Sequence, residues 1–299
     1  MTVINIVFLL AGDMPLFESL CTAFGTAGTG GFGIKNDSMA GYSPYLQNVT
    51  TVFMILFGVN FSCYYLLLLK QFRSVFRDEE LRMYIGIKRY LEANGYAGYT
   101  IHFDEFGADG RYTQLPLLAA SSLMADGYGY AAEGDSMCAA MVAAAHCLGD
   151  DDANFTEMYA MDFKRGSIIF CHAGEGNWAT HRKDVKPQII DRFLAEGGLE
   201  NPPTPRFTPE VGRATLTSLA SVRGDQFRLI VAMGDMQPDN NMPNNEMPYF
   251  FWKPDCGPAQ CVQKWLKNGG THHEVINLGD ISRRWEMLAD MLDIECVRI

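Results

Sequence analysis

One uncharged run, residues 49–69 (VTTVFMILFGVNFSCYYLLLL), constrains this chain more than any other stretch. It is apolar on every face, so as a helix it has to be buried all round or sit in lipid. Its length matches the roughly 20 residues that span a bilayer. Lys70, Arg73 and Arg77 follow at once, which puts that end on the cytoplasmic side. The run predicts a transmembrane helix over 49–69. Just before it, residues 23–33 (AFGTAGTGGFG) are glycine-rich and uncharged. A phosphate-cradling loop would end in Gly-Lys-Ser/Thr and open a helix, and this one does not. A Thr/Gly-rich re-entrant loop ahead of a spanning helix instead presents backbone carbonyls to a dehydrated cation.

The chain changes character near residue 88. From there on it alternates polar and apolar segments like an α/β protein. Residues 88–95 read as a short helix closed by Gly95, 96–103 as a strand, and 115–126 as a helix with Pro116 in its first turn. An alanine-rich helix follows at 136–148, then strand-like runs at 166–173, 214–221 and 227–233. Residues 186–196 suit a short helix, and the Pro/Asn-rich stretches 201–209 and 236–248 read as loops. An amphipathic helix at 256–268, a helix at 281–292 and a strand at 295–299 complete the chain. Short strands with polar breaks point to an antiparallel sheet or barrel.

Charge and cysteine usage narrow the function. Over 299 residues the formal net charge is -11 and no basic stripe occurs, which excludes nucleic acid as a partner. Eight cysteines without a CxxC pair read as free thiols in a reducing compartment. Residues 1–12 are apolar but lack a basic n-region and a cleavage site, so no secretory signal is expected.

The chemistry gathers around residues 124–135 (MADGYGYAAEGD). Asp135 is a good N-cap for the helix at 136–148, and Glu133 sits in a glycine-hinged turn beside that helix's N-terminus. Glu133 alone suits either a capped turn or a metal ligand. Three further segments strengthen the second reading. Asn154-Phe-Thr-Glu157 adds a carboxylate, His172 ends an apolar run, and Gly270-Thr-His272-His273 places a histidine pair after a glycine hinge. Glu and His donors with water suit Mn²⁺ or Mg²⁺ better than a thiolate-seeking ion.

Two resemblances follow from these motifs. Thr29-Gly30-Gly31-Phe32 is similar to a filter loop of the TrkH/KtrB potassium-uptake family, and Phe57-Gly-Val-Asn-Phe61 to the helix after it. That likeness covers residues 1–87, one pore repeat of four, and implies a potassium ion and a membrane as partners. Asp126-Gly-Tyr-Gly-Tyr, Glu133-Gly-Asp135, Phe155-Thr-Glu157-Met-Tyr, His172 and Gly270-Thr-His272-His273 together resemble the L-arabinose isomerase family over 88–299. This second resemblance implies the end of a central α/β domain at 88–150 and a β-rich, barrel-like C-terminal domain at 151–299. The expected fold class is therefore α+β, preceded by a re-entrant loop and a transmembrane helix, in a chimera of two lineages.

What the isomerase resemblance implies is a metal site of Glu133, Glu157, His172 and His273 holding Mn²⁺ or another divalent ion. Glu133 and Glu157 double as the acid/base pair that interconverts an aldose and a ketose through an enediol. The implied substrate is an aldopentose-like sugar, the implied assembly a homo-oligomer, and the location cytoplasmic, with the N-terminal segment in the membrane. After His172 the run Ala-Gly-Glu-Gly-Asn-Trp178 departs from the family's Met-Leu-Glu-Val-Cys-Pro, which leaves the sugar open. Without the family's N-terminal domain, activity is expected to be impaired. The rival expectations are a fragment of a potassium-uptake membrane protein with an inert C-terminal part, and a non-catalytic sugar- or metal-binding remnant.

Overall fold

The computed structural model describes residues 1–28, 33–35, 37–58, 78–106, 110–149, 153–194, 199–238 and 242–299. It separates into two compact units, Met1–Asp78 and Glu79–Ile299.

In the first unit, helices α1 (Thr2–Ala11), α2 (Leu16–Ala27) and α3 (Pro44–Gly58) enclose a small core of Leu9, Met14, Ala23 and Leu46. Its polar tie is Glu18, which accepts a 2.7 Å hydrogen bond from the Tyr42 hydroxyl and lies 3.3 Å from Lys35 Nζ. Large apolar side chains elsewhere face outward, among them Val3, Val7, Phe17, Phe24 and Ile55. Of the spanning helix expected at 49–69, residues 49–58 lie in α3 and the remainder falls outside the described residues. Among the described residues no helix is long and apolar enough to cross a membrane, because the described part of that run ends with α3 at Gly58. The rest of the run and the filter-like Thr29, Gly30, Gly31 and Phe32 lie outside the described residues.

The second unit opens with α4 (Glu79–Asn94). Its first two residues fasten it. Glu79 accepts from the Thr113 backbone N–H and hydroxyl, both at 2.6 Å, and buried Glu80 accepts from the Ala119 N–H at 2.7 Å. Ala119 sits in the first turn of α5 (Leu117–Ala125), where free N–H groups favour a carboxylate. Residues 79–87, expected in the first part of the chain, thus pack within the second unit.

Strand β1 (Gly98–Thr100), α5 and parallel β2 (Gly129–Ala131) form a crossover unit, followed by α6 (Ser136–Leu148). At Gly129 a Cβ would collide with the Ala139 carbonyl and the Ala143 side chain, so only glycine lets α6 lie this close to β2. Asp135 caps α6, its Oδ1 accepting from Cys138 N–H at 2.9 Å.

The remainder is a barrel-like sheet. Strands β3 (Ala153–Asp162), β4 (Ser167–Cys171), β7 (Gly212–Arg223), β8 (Gln226–Met236), β9 (Tyr249–Pro254) and β10 (His273–Leu278) run in the order β8-β7-β10-β3-β4-β9. The ring closes because β8 has two partners on one edge. Residues 228–231 pair in parallel with β11 (Glu295–Arg298), and residues 234–236 pair with β9. Ile168, Phe170, Leu216, Ile230, Trp252 and Ile276 fill the inside, sealed by Cys261 and Trp265 of the amphipathic α7 (Pro258–Lys267). Alternate residues Phe155, Leu229, Val231 and Val275 face out and pack under α6 and the buried Trp285 of α8 (Ser282–Leu292).

Two expectations change. Residues 186–196 hold no helix among those described. Instead β5 (Gln188–Asp191) pairs with β6 (Pro203–Arg206), a strand lying in the stretch read as a loop. Pro203 and Pro205 are two apart, so both imide nitrogens point to the same side, away from the ladder with β5, and the missing donors cost no pairing.

Glu274 alternates with outward His273 and Val275 and so points into the barrel, where it is fully buried. Burial pushes its carboxyl well above the usual range, against a smaller opposing pull from the Met158 N–H. The native state therefore keeps a proton that the unfolded chain releases. Above the ordinary Glu value of about 4.3, stability falls as pH rises, by at most about 1.4 kcal/mol per pH unit until the folded carboxyl ionises. Glu274→Gln flattens that slope between pH 5 and 7 in chemical denaturation. An unchanged slope would show that Glu274 is ionised in the fold.

Candidate metal centre

Glu133, His172 and His273 arrive from three separate places. Glu133 leaves β2 in the turn before α6, His172 follows the last residue of β4, and His273 opens β10. One ligand atom from each lies within 4.8 Å of the other two. Glu133 Oε1 stands 4.0 Å from His172 Nε2, and its Oε2 stands 3.6 Å from His273 Nε2. Both imidazoles are buried, whereas the Glu133 side chain is 48% exposed and gives the cluster an open side.

The far nitrogens of both rings are held. His172 Nδ1 lies 3.2 Å from Glu175 Oε2, and His273 Nδ1 lies 3.1 Å from Asp135 Oδ2. The Asp135 hydrogen bond at Nδ1 selects the Nδ1–H tautomer of His273 and leaves its Nε2 lone pair facing Glu133, whereas Glu175 pairs with His172 Nδ1 by charge and proximity. Tyr130 steadies the first pair, donating its hydroxyl to Glu175 Oε1 at 3.0 Å. Phe155 fills the space below, its ring centroid 4.7 Å from His172 and 5.0 Å from His273.

The electrostatics follow from burial and partners. Burial alone would pull the His172 imidazolium down, but the charges of Glu175, Glu157 and Glu133 raise it above its ordinary value. Burial pushes Glu175 up, yet His172 outweighs it and holds the carboxyl below the usual range. Asp135 is held low chiefly by its hydrogen bond to His273, with burial opposing.

Glu133 has a φ of 61°, in the left-handed region that a side chain rarely adopts. The turn is fixed on both flanks, by Gly134 N–H donating to Ile101 C=O and Asp135 N–H to Ala132 C=O, each at 3.1 Å. Strain in such a place accompanies functional sites, because the surrounding structure has to hold it.

The donor set suits a divalent ion. Two imidazole Nε2 atoms and a carboxylate converge, and His273 Nε2 is buried with no hydrogen-bond partner. A lone pair so placed is free to bind a cation.

Of the four ligands expected from sequence, the structure brings Glu133, His172 and His273 together. Glu157 lies outside the cluster, directly across from His273 in the β3–β10 register, half-buried on the same outer face. His272 is exposed, with its ring 4.2 Å from that of His273. Sequence reasoning did not assign Glu175 or Asp135 as histidine anchors, nor Tyr130 behind them. Glu175 follows His172 by three residues in a glycine-flanked run, so a tight turn returning a carboxylate to its own histidine was the available signal.

The model of the L-arabinose isomerase central domain matches residues 69–151, and that of the L-arabinose isomerase C-terminal domain matches residues 152–295. The L-arabinose isomerase of Leuconostoc mesenteroides is 33% identical over 228 residues, covering 74% of this chain and 46% of that protein. That of Levilactobacillus brevis is 33% identical over 217 residues, 71% of this chain and 44% of the relative. L-arabinose isomerase 2 of Clostridium acetobutylicum is 32% identical over 204 residues, 67% of this chain and 41% of the relative. The chain thus spans less than half the length of these curated relatives. Over residues 69–295 it belongs to the L-arabinose isomerase family, carrying that family's central and C-terminal domains.

Proposed function

We propose that the second unit carries a metal-dependent aldose–ketose isomerase site, with Mn²⁺ as the ion best suited to its Glu and His donors and an aldopentose-like sugar as substrate. The observation that supports this most is the pair of buried histidines, each anchored at Nδ1 by a carboxylate and each presenting Nε2 to Glu133. Bound there, a divalent ion would polarise the sugar's C1 and C2 oxygens.

The chain's own groups do the rest. Interconversion removes the proton from C2, passes through an enediol, and returns a proton to C1. Glu133 is exposed enough to meet a substrate and projects from a turn that cannot swing freely. Glu157 stands on the same outer face beside His273, which fits it to the second proton transfer. Burial of both imidazoles and the Phe155 ring beneath them keep water from the inner side.

Calorimetric titration of the full chain with Mn²⁺ is expected to give micromolar binding. Glu133→Gln combined with His273→Ala abolishes it, and Glu175→Gln weakens it by about 10- to 100-fold. Isomerisation with added Mn²⁺ is expected to fall by about 10²- to 10⁴-fold in Glu133→Gln or Glu157→Gln. A folded wild-type chain that binds no Mn²⁺ would refute the metal reading.

For the first unit we infer a membrane-facing role, carried by a separate observation. Its described helices turn Val3, Ile4, Val7, Phe8, Phe17 and Ile55 outward around a very small core. Water disfavours such a surface, and lipid does not. A potassium-uptake fragment, expected over residues 1–87, stays the runner-up description of residues 1–68 alone, because residues 69–87 match the isomerase central domain. The full chain is expected to stay with the membrane fraction after a carbonate wash, and quantitative recovery in the wash would reject this reading.

A further inference from the structure

Two thiols meet at the start of α7. Gly257 is the N-cap of that helix, so Cys256 stands one position before the cap and Cys261 is the fourth helical residue. Side chains at those two positions pack against each other across the first turn, the pairing known as a hydrophobic staple. Here both members of the staple are cysteines. Cys261 is fully buried beside Trp265 in the barrel core, and Cys256 packs against that same core while staying partly exposed. Burial, and after it the neighbouring Cys256 thiol, push the Cys261 thiol up to about 12.

The backbone that presents the two sulfurs is held on both sides. Asp255 donates its N–H to the Met233 C=O at 2.9 Å, and its carboxylate accepts from Arg213 Nη1 at 2.6 Å. Gly257 N–H returns to the Pro254 C=O at 3.0 Å, and Cys261 N–H donates to the Gly257 C=O at 2.9 Å. The pair is therefore fixed by the cap itself. Beyond the pair, α7 reaches towards the candidate metal centre. Trp265 Nε1 donates to the Thr271 C=O at 2.9 Å, and the Thr271 hydroxyl donates to the His273 C=O at 2.6 Å.

We propose that Cys256 and Cys261 are a reversible dithiol–disulfide site, oxidised by hydrogen peroxide, that clamps the start of the helix sealing the barrel. Cys256 is the member that a peroxide can reach. Its sulfur attacks one peroxide oxygen, the O–O bond breaks, and the departing hydroxide takes the thiol proton as water, leaving a sulfenic acid. The Cys261 sulfur then attacks the Cys256 sulfur, the S–O bond breaks, and hydroxide leaves with the Cys261 proton as a second water. Two thiols lose two electrons in all, and one peroxide becomes two waters. The bridge closes only the short loop 256–261, so it restrains the unfolded chain little and a dithiol reductant reopens it. None of this depends on the isomerase reading of the centre.

Mass spectrometry of the full chain tests it. After equimolar hydrogen peroxide, the proteolytic peptide that carries both cysteines is expected to lose two hydrogens and to regain them with dithiothreitol. Dimedone, which labels sulfenic acids, is expected to tag Cys256 in Cys261→Ala and to leave Cys261 untagged in Cys256→Ser. Phenylarsine oxide bridges two adjacent sulfurs without oxidising them, and is expected to span this pair in the untreated chain and in neither variant. Thermal melts check that the variants fold, and the two wild-type readings stand without them. Cys256 carried on to a sulfinic acid with no bridge, or bridged to any other cysteine, overturns the proposal. So does an untreated chain in which phenylarsine oxide fails to span the pair.

Discussion

Everything at the centre depends on where two imidazoles direct their Nδ1 protons. A neutral histidine can offer either nitrogen, and a ring free to choose makes a poor ligand. Here Asp135 makes the choice for His273 through a 3.1 Å hydrogen bond, Glu175 pairs with His172 Nδ1 at 3.2 Å, and both Nε2 atoms face one half-exposed carboxylate. The arrangement is costly to assemble, since Glu175 is 1% exposed and a buried carboxylate needs every partner it can get. His172 and Tyr130 supply those partners, so the side chains that hold the first histidine also make Glu175 tolerable as an ion.

The barrel supplies the distances. His172 and His273 belong to strands separated by β3, and Phe155 on that strand meets both rings. Glu133 comes from a different layer, the β1–β2 crossover, and is brought in by α6 lying close over β2. That approach depends on Gly129, where any side chain would meet Ala139 and Ala143. Asp135 serves twice, capping α6 through Oδ1 and orienting His273 through Oδ2. The helix start and the candidate metal centre are therefore one piece of structure, and a change in one registers in the other.

Much of this was legible from residue patterns. The Asp135 cap, the alanine-rich α6, the amphipathic α7 and the final helix and strand all carry local signals that the fold respects. The histidines could be singled out because each follows a glycine hinge or ends an apolar run. What stayed hidden is set by contacts distant in sequence. Glu175 lies close to His172 in sequence, but the Tyr130 hydroxyl that steadies it comes from far earlier in the chain. The β5–β6 ribbon was misread because prolines at alternate positions resemble a loop, although their spacing leaves one edge free to pair. The uncharged run at 49–69 shows the opposite limit. Composition alone argues for a spanning helix, and of that run the structure describes only residues 49–58, within α3.

The most direct test of this account is pulsed EPR on the Mn²⁺-loaded full chain, which counts the nitrogens bound to the ion. Two imidazole nitrogens are predicted, with one lost in His172→Ala and one in His273→Ala. A spectrum showing only oxygen ligands, or nitrogen couplings unchanged in both variants, would contradict the claim that the two anchored histidines form a metal centre.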